Sequence, residues 1–282
     1  MILVADSGST KTSWIALNSK GETCFKIETP GLNPAVFAKK TIYDRVVSKK
    51  ELNDVRLDVE KIFFYGAGCG TKTACANLKG IFKDIFVNAE IEIYEDTIAA
   101  VKCLRTDVPG IVCILGTGSN CSYFDGKITH QKIVSLGYII MDTASGNYYG
   151  KELIRDYYYN KMPKDFAEKF EKAYDLSADF IKESIYKKGN PNTYLAQIGR
   201  FLIENKSSEY AQGIIKTGLR KFIENQILQF EESKTTKIYF VGSIAHFLSD
   251  EIKEVLEEYN LNFGKIVRHP IISLAEHHVS KV

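Results

Sequence analysis

Leu3-Val4-Ala5-Asp6-Ser7-Gly8-Ser9-Thr10-Lys11-Thr12-Ser13-Trp14 decides how this chain is read. An apolar strand opening runs into an acid, crosses a turn of small and hydroxylated residues, and returns as a second apolar run to Leu17. Gly8 is free to take a positive φ, which keeps the turn tight. Ser7, Ser9, Thr10 and Thr12 line the turn with hydroxyls, and its small side chains leave backbone N–H groups accessible, as in an anion-binding nest. Asp6, at the strand end, could hold a metal-bound water beside a polyphosphate, since Mg²⁺ prefers hard oxygen ligands and keeps several waters. An ordinary hairpin with a Ser/Gly turn explains this stretch equally well.

A second copy shifts the balance. Ile114-Leu115-Gly116-Thr117-Gly118-Ser119-Asn120-Cys121-Ser122-Tyr123-Phe124 lies over the first at a constant offset, Gly8 on Gly118, Ser9 on Ser119, Ser7 on Thr117 and Trp14 on Phe124. The chemical change is Asp6 against Gly116. Two strand–nest–strand units, one acidic and one neutral, suggest duplicated halves gripping one polyphosphate from opposite sides.

The remaining chain fits an α/β protein. Its 282 residues allow one large or two modest domains. A net charge of +2 gives no basic field for nucleic acid. The opening Met1–Ala5 breaks at Asp6, too short for a signal peptide or a membrane span. Cys24, Cys69, Cys75, Cys103, Cys113 and Cys121 form no C-x-x-C pair, and most sit in apolar runs, so buried thiols in a reducing cytoplasm are expected. Lys61–Tyr65 reads as a buried strand ending in Gly66-Ala67-Gly68-Cys69-Gly70, where Thr71 replaces the third glycine of a dinucleotide fingerprint. Glu90–Tyr94 alternates as a strand, closed by Glu95-Asp96 before a helix over 97–105. Asp96 is either a helix N-cap or a ligand at the carboxyl end of a strand, where open α/β sheets bind. Glu95 reads as solvated. Asp107-Val108-Pro109-Gly110 marks a domain boundary near 110. Lys127–Val134 is expected to return as a strand, and helices follow from Tyr148 to Glu232. Lys237–Val241 is a strand ending in Gly242-Ser243 before a helix over 244–259, and the Glu276-His277-His278 pair reads as surface histidines.

The Asp-Ser-Gly-Ser-Thr-Lys-Thr and Leu-Gly-Thr-Gly-Ser-Asn stretches resemble the two phosphate loops of the actin-like sugar kinase and ATPase superfamily. Within it the chain is similar to the BadF/BadG/BcrA/BcrD-type ATPases and N-acetylglucosamine kinases. Gly31-Leu32-Asn33-Pro34, Tyr65-Gly66-Ala67-Gly68-Cys69, Glu95-Asp96-Thr97-Ile98-Ala99-Ala100, Leu136-Gly137-Tyr138 and Ser145–Lys151 recur in family order. The resemblance implies duplicated actin-like (ribonuclease H-like) domains with an interdomain cleft: residues 1–110, then 111–269 with a helical insertion, and a final helix of about 270–282 packing back on the first domain. It implies ATP and Mg²⁺ as cofactors, with Gly8, Ser9, Thr10 and Lys11 on one side of the phosphates and Gly116 and Thr117 on the other. Gly242 and Ser243 resemble the adenosine loop, and Asp6 would organise Mg²⁺ through water.

Asp96 matches the catalytic aspartate of N-acetylglucosamine kinases, and Asn33 matches an asparagine that binds sugar hydroxyls. The expected activity is transfer of the ATP γ-phosphate to the 6-hydroxyl of N-acetylglucosamine or glucosamine in the cytoplasm. Asn33, Asp96, Ser119, Asn120, Asp142 and the backbone near Gly137 would surround the sugar, offering donors and acceptors together. The expected partner is thus a small amino sugar, with no nucleic acid and no membrane; a homodimer stays open. The family's Gly-Asp-Glu-Gly-Ser-Gly segment departs here: Asp142, Ser145 and Gly146 remain, while Met141, Thr143 and Ala144 replace Gly, Glu and Gly. That departure keeps a non-catalytic sugar or nucleotide sensor as an alternative, beside a BadF-type ATPase activator.

Overall fold

The computed structural model describes residues 1–8, 10–104 and 108–279. In chain order, β1 (Ile2–Ser7), β2 (Lys11–Leu17) and β3 (Thr23–Pro30) form a meander, followed by α1 (Lys39–Val47) and α2 (Lys50–Asp54). Then come β4 (Lys61–Gly66), α3 (Lys72–Ile85), β5 (Glu90–Glu95) and α4 (Asp96–Leu104). A second meander, β6 (Gly110–Leu115), β7 (Ser119–Phe124) and β8 (Thr129–His130), leads into α5 (Gly146–Tyr158), α6 (Lys164–Ala173) and α7 (Ala178–Tyr186). The chain continues through α8 (Pro191–Glu204), α9 (Glu209–Asn225), β9 (Lys237–Val241), α10 (Ser243–Phe247), α11 (Ser249–Glu258), β10 (Asn262–Val267) and α12 (Pro270–Val279). Two compact units result: Met1–Asp107 with His269–Val282, and Val108–Arg268.

The first unit carries a five-stranded sheet in the order β3-β2-β1-β4-β5. β1–β2 and β2–β3 pair antiparallel, whereas β1–β4 and β4–β5 pair parallel. Ser7 lies opposite Gly66 and Gly66 opposite Glu95, so the three parallel strands end at one level. Both faces of the sheet are covered, which explains the continuous apolar run of β1. Leu3 and Ala5 enter a core with Trp14, Phe64 and Phe82, while Val4 faces the opposite layer with Ile15, Leu17, Ile271 and Leu274. The buried indole N–H of Trp14 is satisfied by Thr29 Oγ1 at 3.1 Å.

The second unit repeats this strand order as β8-β7-β6-β9-β10, with an antiparallel meander on one side and two parallel strands on the other. Its core joins Ile111, Cys113 and Leu115 to Tyr149, Phe170, Phe222 and Leu248. Side-chain caps start two of its helices: Ser145 accepts from Tyr148 N and Ser208 from Ala211 N, each at 3.2 Å. Among the described residues no helix is long and apolar enough to cross a membrane.

Several expectations are corrected. The returning strand over 127–134 shrinks to Thr129–His130, because the Asp125 carboxylate accepts the Lys127 and Ile128 N–H groups at 2.8 Å and tightens the turn. The helix over 244–259 is two helices meeting at Leu248. β10 is an unexpected strand: its pairing with β9 is irregular between Phe263 and Ile266, and Gly264 leaves room for the Tyr239 ring, so no alternation announces it. Cys24 is exposed and Cys75 half-buried, unlike the other four free thiols. His278 is not a surface residue: it is buried, stacks on Phe63 at 3.5 Å between centroids, and pairs with Tyr65 Oη at 2.9 Å.

Candidate functional site

In the first unit the ends of the parallel strands gather Asp6, Asn33, Glu95 and Asp96. The turn after β1 is closed by Gly8 N–H donating to the Lys11 carbonyl at 2.9 Å, so this N–H belongs to the hairpin rather than to an open nest. Ser7 Oγ pairs with Thr12 Oγ1 at 2.7 Å and accepts the Leu32 N–H at 3.2 Å. Gly31 N–H donates to the Thr10 carbonyl at 3.0 Å, and Ala67 N–H to the Ser7 carbonyl at 2.9 Å. These bonds tie the loops at 8–10, 31–33 and 66–70 into one cluster. Gly8, Thr10 and Lys11 lie exposed on it, and Lys11 is ion-paired with Glu28. Ser9 lies outside the described residues.

Asn33 is buried, and its Oδ1 accepts the Ala35 N–H at 2.8 Å, fixing the side chain in an Asx turn. Gly68 sits against that side chain with φ +79°, and a Cβ there would lie 1.9 Å from Asn33 Oδ1. Only glycine satisfies both the backbone and the close approach. The Gly66–Gly70 loop, whose ligand role the sequence left open, is therefore the wall that sets Asn33. Gly70 approaches Glu95 in the same way, with a Cβ position 2.9 Å from its Oε1. Glu95 is thus half-buried against a loop rather than solvated.

Asp96 follows β5 as the first residue of α4, and its carboxylate accepts the Thr97 N–H. Burial pushes its carboxyl up from 3.8 to about 7, and the charges of Glu95 and Asp6 add to the shift. Asp6 is pushed from 3.8 to about 6 by burial, opposed by Lys11. Cys69, buried beside these acids, is pushed up to about 12 and stays a thiol at neutral pH.

In the second unit the strand ends collect Gly116, Thr117, Ser119, Asn120, Asp142, Gly242 and Ser243. The turn between β6 and β7 is closed by Gly116 N–H donating to the Gly118 carbonyl at 2.9 Å. The start of α5 is stitched to it, Gly146 N–H reaching the Gly116 carbonyl at 2.8 Å and Asn147 N–H the Thr117 carbonyl at 3.1 Å. Asp142 has φ +61°, and its carboxylate accepts from the Ser119 N–H and the Asn147 side chain. Burial raises its carboxyl, against the opposing charge of Lys151. Asn120 Oδ1 accepts from Cys121 N at 2.7 Å and Gln131 Nε2 at 3.2 Å. Gly242 has φ +119°, with a Cβ position 2.3 Å from the Leu115 carbonyl oxygen, so this glycine lets the end of β9 close on β6. Ser243 opens α10 and is exposed. Gly137 lies apart from this group in the long segment after β8, where its carbonyl accepts Met141 N–H at 2.9 Å. Gly68, Gly70, Asn147 and Lys151 were not singled out by sequence reasoning; a glycine run beside a predicted strand end was the available signal for the first two.

No protein-family model and no curated protein matches the chain. Solved structures do. A putative N-acetylglucosamine kinase from Porphyromonas gingivalis superposes with a TM-score of 0.90 at 29% identity, over 99% of each chain. A putative N-acetylglucosamine kinase from Chromobacterium violaceum gives 0.70 at 13% identity, over 98% of this chain and 97% of its own. A ROK family glucokinase from Streptomyces griseus, in complex with glucose and AMPPNP, gives 0.64 at 15% identity over 98% of each. The mixed α/β architecture with two five-stranded sheets is that of the actin-like sugar kinases.

Proposed function

We propose that this chain is an ATP-dependent sugar kinase akin to the BadF/BadG/BcrA/BcrD and N-acetylglucosamine kinase group, acting on the 6-hydroxyl of N-acetylglucosamine or glucosamine. Asp96 carries the reading. It stands at the carboxyl end of β5, beside the loop that fixes Asn33, with a carboxyl pushed to about 7. A base must accept the acceptor hydroxyl proton as the phosphoryl group transfers, and a proton affinity near the working pH suits that task. Names of the similar structures point the same way, to amino-sugar and glucose kinases.

In this reading Asn33 and Asp96 hold the acceptor, with Ser119, Asn120 and the backbone near Gly137. The turns at Gly8–Lys11 and Gly116–Thr117 face the phosphates, and Gly242-Ser243 the nucleoside. Lys11 would exchange its exposed partner Glu28 for phosphate at little cost, since exposed ion pairs contribute about 0–1 kcal/mol. Asp6 fits a magnesium-bound water: its buried carboxyl is opposed by Lys11 but still lies well above 3.8, an unbalanced negative group that a divalent cation would relieve. Mg²⁺ would supply charge neutralisation of the transferring phosphate.

A coupled ADP-release screen over glucosamine, N-acetylglucosamine, N-acetylmuramate, glucose and a no-sugar control tests this. The expected result is sugar-dependent ADP release with an amino sugar, falling by at least about two decades in Asp96→Asn. Sugar binding without ADP release would favour the sensor. Release independent of any sugar would refute the kinase assignment.

A further inference from the structure

The segment between β8 and α5 holds two non-glycine residues in the left-handed region, Asp142 at φ 61° and Ala144 at φ 58°. Side chains with a Cβ rarely adopt it, and such outliers concentrate where a site demands them. Here the demand is visible. The reversal through 142–144 delivers Ser145 to cap α5, and Ser145 Oγ also donates to the Asp142 carbonyl at 2.5 Å. It also places the Asp142 carboxylate under the β6–β7 turn. One oxygen, Oδ2, lies so near Gly118 that a Cβ there would approach it to 2.6 Å.

The consequence for the turn is specific. Its three carbonyls, of Gly116, Thr117 and Gly118, accept the N–H groups of Gly146, Asn147 and Gly116 respectively. Asp142 takes the Ser119 N–H and the Asn147 side chain, so the same carboxylate grips the turn and the helix start that pins it. Carbonyl dipoles would repel a phosphate, and here each is held by a donor. The charge of Asp142 is itself opposed by Lys151, one helical turn after Asn147, whose Nζ donates to the Tyr138 carbonyl at 2.5 Å. A carboxylate engaged in this way is a bracket.

Resting on the reading of Gly116–Thr117 as a phosphate turn, we propose that Asp142 is a positioning residue for the nucleotide: it holds the 116–119 turn in its phosphate-accepting shape and acts through that turn, not as a ligand of the sugar.

The test measures AMPPNP and N-acetylglucosamine binding separately by calorimetry on the full chain, in the wild type and in Asp142→Ala, Asp142→Asn and Asp142→Gly. Asp142→Ala should weaken AMPPNP by about tenfold or more, the scale of a buried donor left unpaired, and leave sugar affinity within about twofold. Asp142→Asn keeps an oxygen for the Ser119 N–H and tolerates the left-handed backbone, so it should recover most of the loss. Asp142→Gly relieves the backbone without restoring the carboxylate and should not recover it. Loss of sugar binding instead of nucleotide binding, equal loss of both, or full recovery by glycine would each overturn the proposal. A wild type that binds no AMPPNP would overturn the kinase reading itself, a result separate from the variant pattern.

Discussion

Replacing the proposed base should make the protein more stable. Asp96 has its carboxyl raised from 3.8 to about 7, first by burial and then by the charges of Glu95 and Asp6. The folded state therefore binds the proton more tightly than the unfolded chain, and between these limits stability falls as pH rises. A difference of roughly three pK units, at ~1.36 kcal/mol each, sets an upper limit of ~4 kcal/mol. Because Asp96 is only partly buried, solvent screening reduces this to ~2 kcal/mol. Asp96→Asn removes the ionisable group and retains an oxygen to accept the Thr97 N–H. The variant should gain ~2 kcal/mol over wild type at pH 8, the gain shrinking to about zero near pH 4, where both carboxyl states are protonated. Urea unfolding followed by fluorescence suits the measurement, since Trp14, the single tryptophan, is buried in the unit that holds Asp96. An Asn variant no more stable than wild type at pH 8, or a gap that widens on acidification, would refute the reasoning.

Gly68→Ala should displace Asn33, because the new methyl would meet Oδ1 at 1.9 Å in a backbone with φ +79°; calorimetry should show acceptor binding weakened about tenfold, with AMPPNP affinity changed far less. Gly242→Ala forces a Cβ to within 2.3 Å of the Leu115 carbonyl oxygen at φ +119°. It should destabilise the second unit by at least about 2 kcal/mol, read as a lower urea midpoint by far-ultraviolet circular dichroism; an unchanged midpoint would show that the strand ends can separate freely.

What the sequence disclosed was carried by short-range pattern. The paired turns around Gly8 and Gly118 mark two meanders, and the alternation in Glu90–Tyr94 places Asp96 at a strand end. These signals are local, since a strand's period and the acid that ends it are written within about ten residues. The parts not legible depend on partners far away in sequence. His278 looks like a surface residue beside Glu276 and His277, and becomes buried because Tyr65, more than 200 positions earlier, supplies its hydrogen bond. Gly68 reads as one glycine among several until Asn33 is seen against it. Asp142 carries no sign of its left-handed backbone, because the donors that hold its carboxylate, Ser119 and Asn147, flank it at unrelated spacings. The open anion nest expected at Gly8 proved closed by the Lys11 carbonyl, a choice between hairpin and nest that composition does not settle.

The placement of α12 has a consequence for how the chain is made. Val4, Ile15 and Leu17 form one apolar face of the first sheet, and that face is covered in part by Ile271, Leu274 and Ala275. Some 250 residues separate the strands from the helix that covers them, so at ribosomal rates of about 5–20 residues per second the face stands bare for roughly 13–50 s. The other face needs no such wait, because α1 and α3 follow within the first 85 residues. The nascent first unit is thus a half-dressed sheet while the whole second unit emerges, a natural client for a holding chaperone and the stage at which aggregation competes with folding.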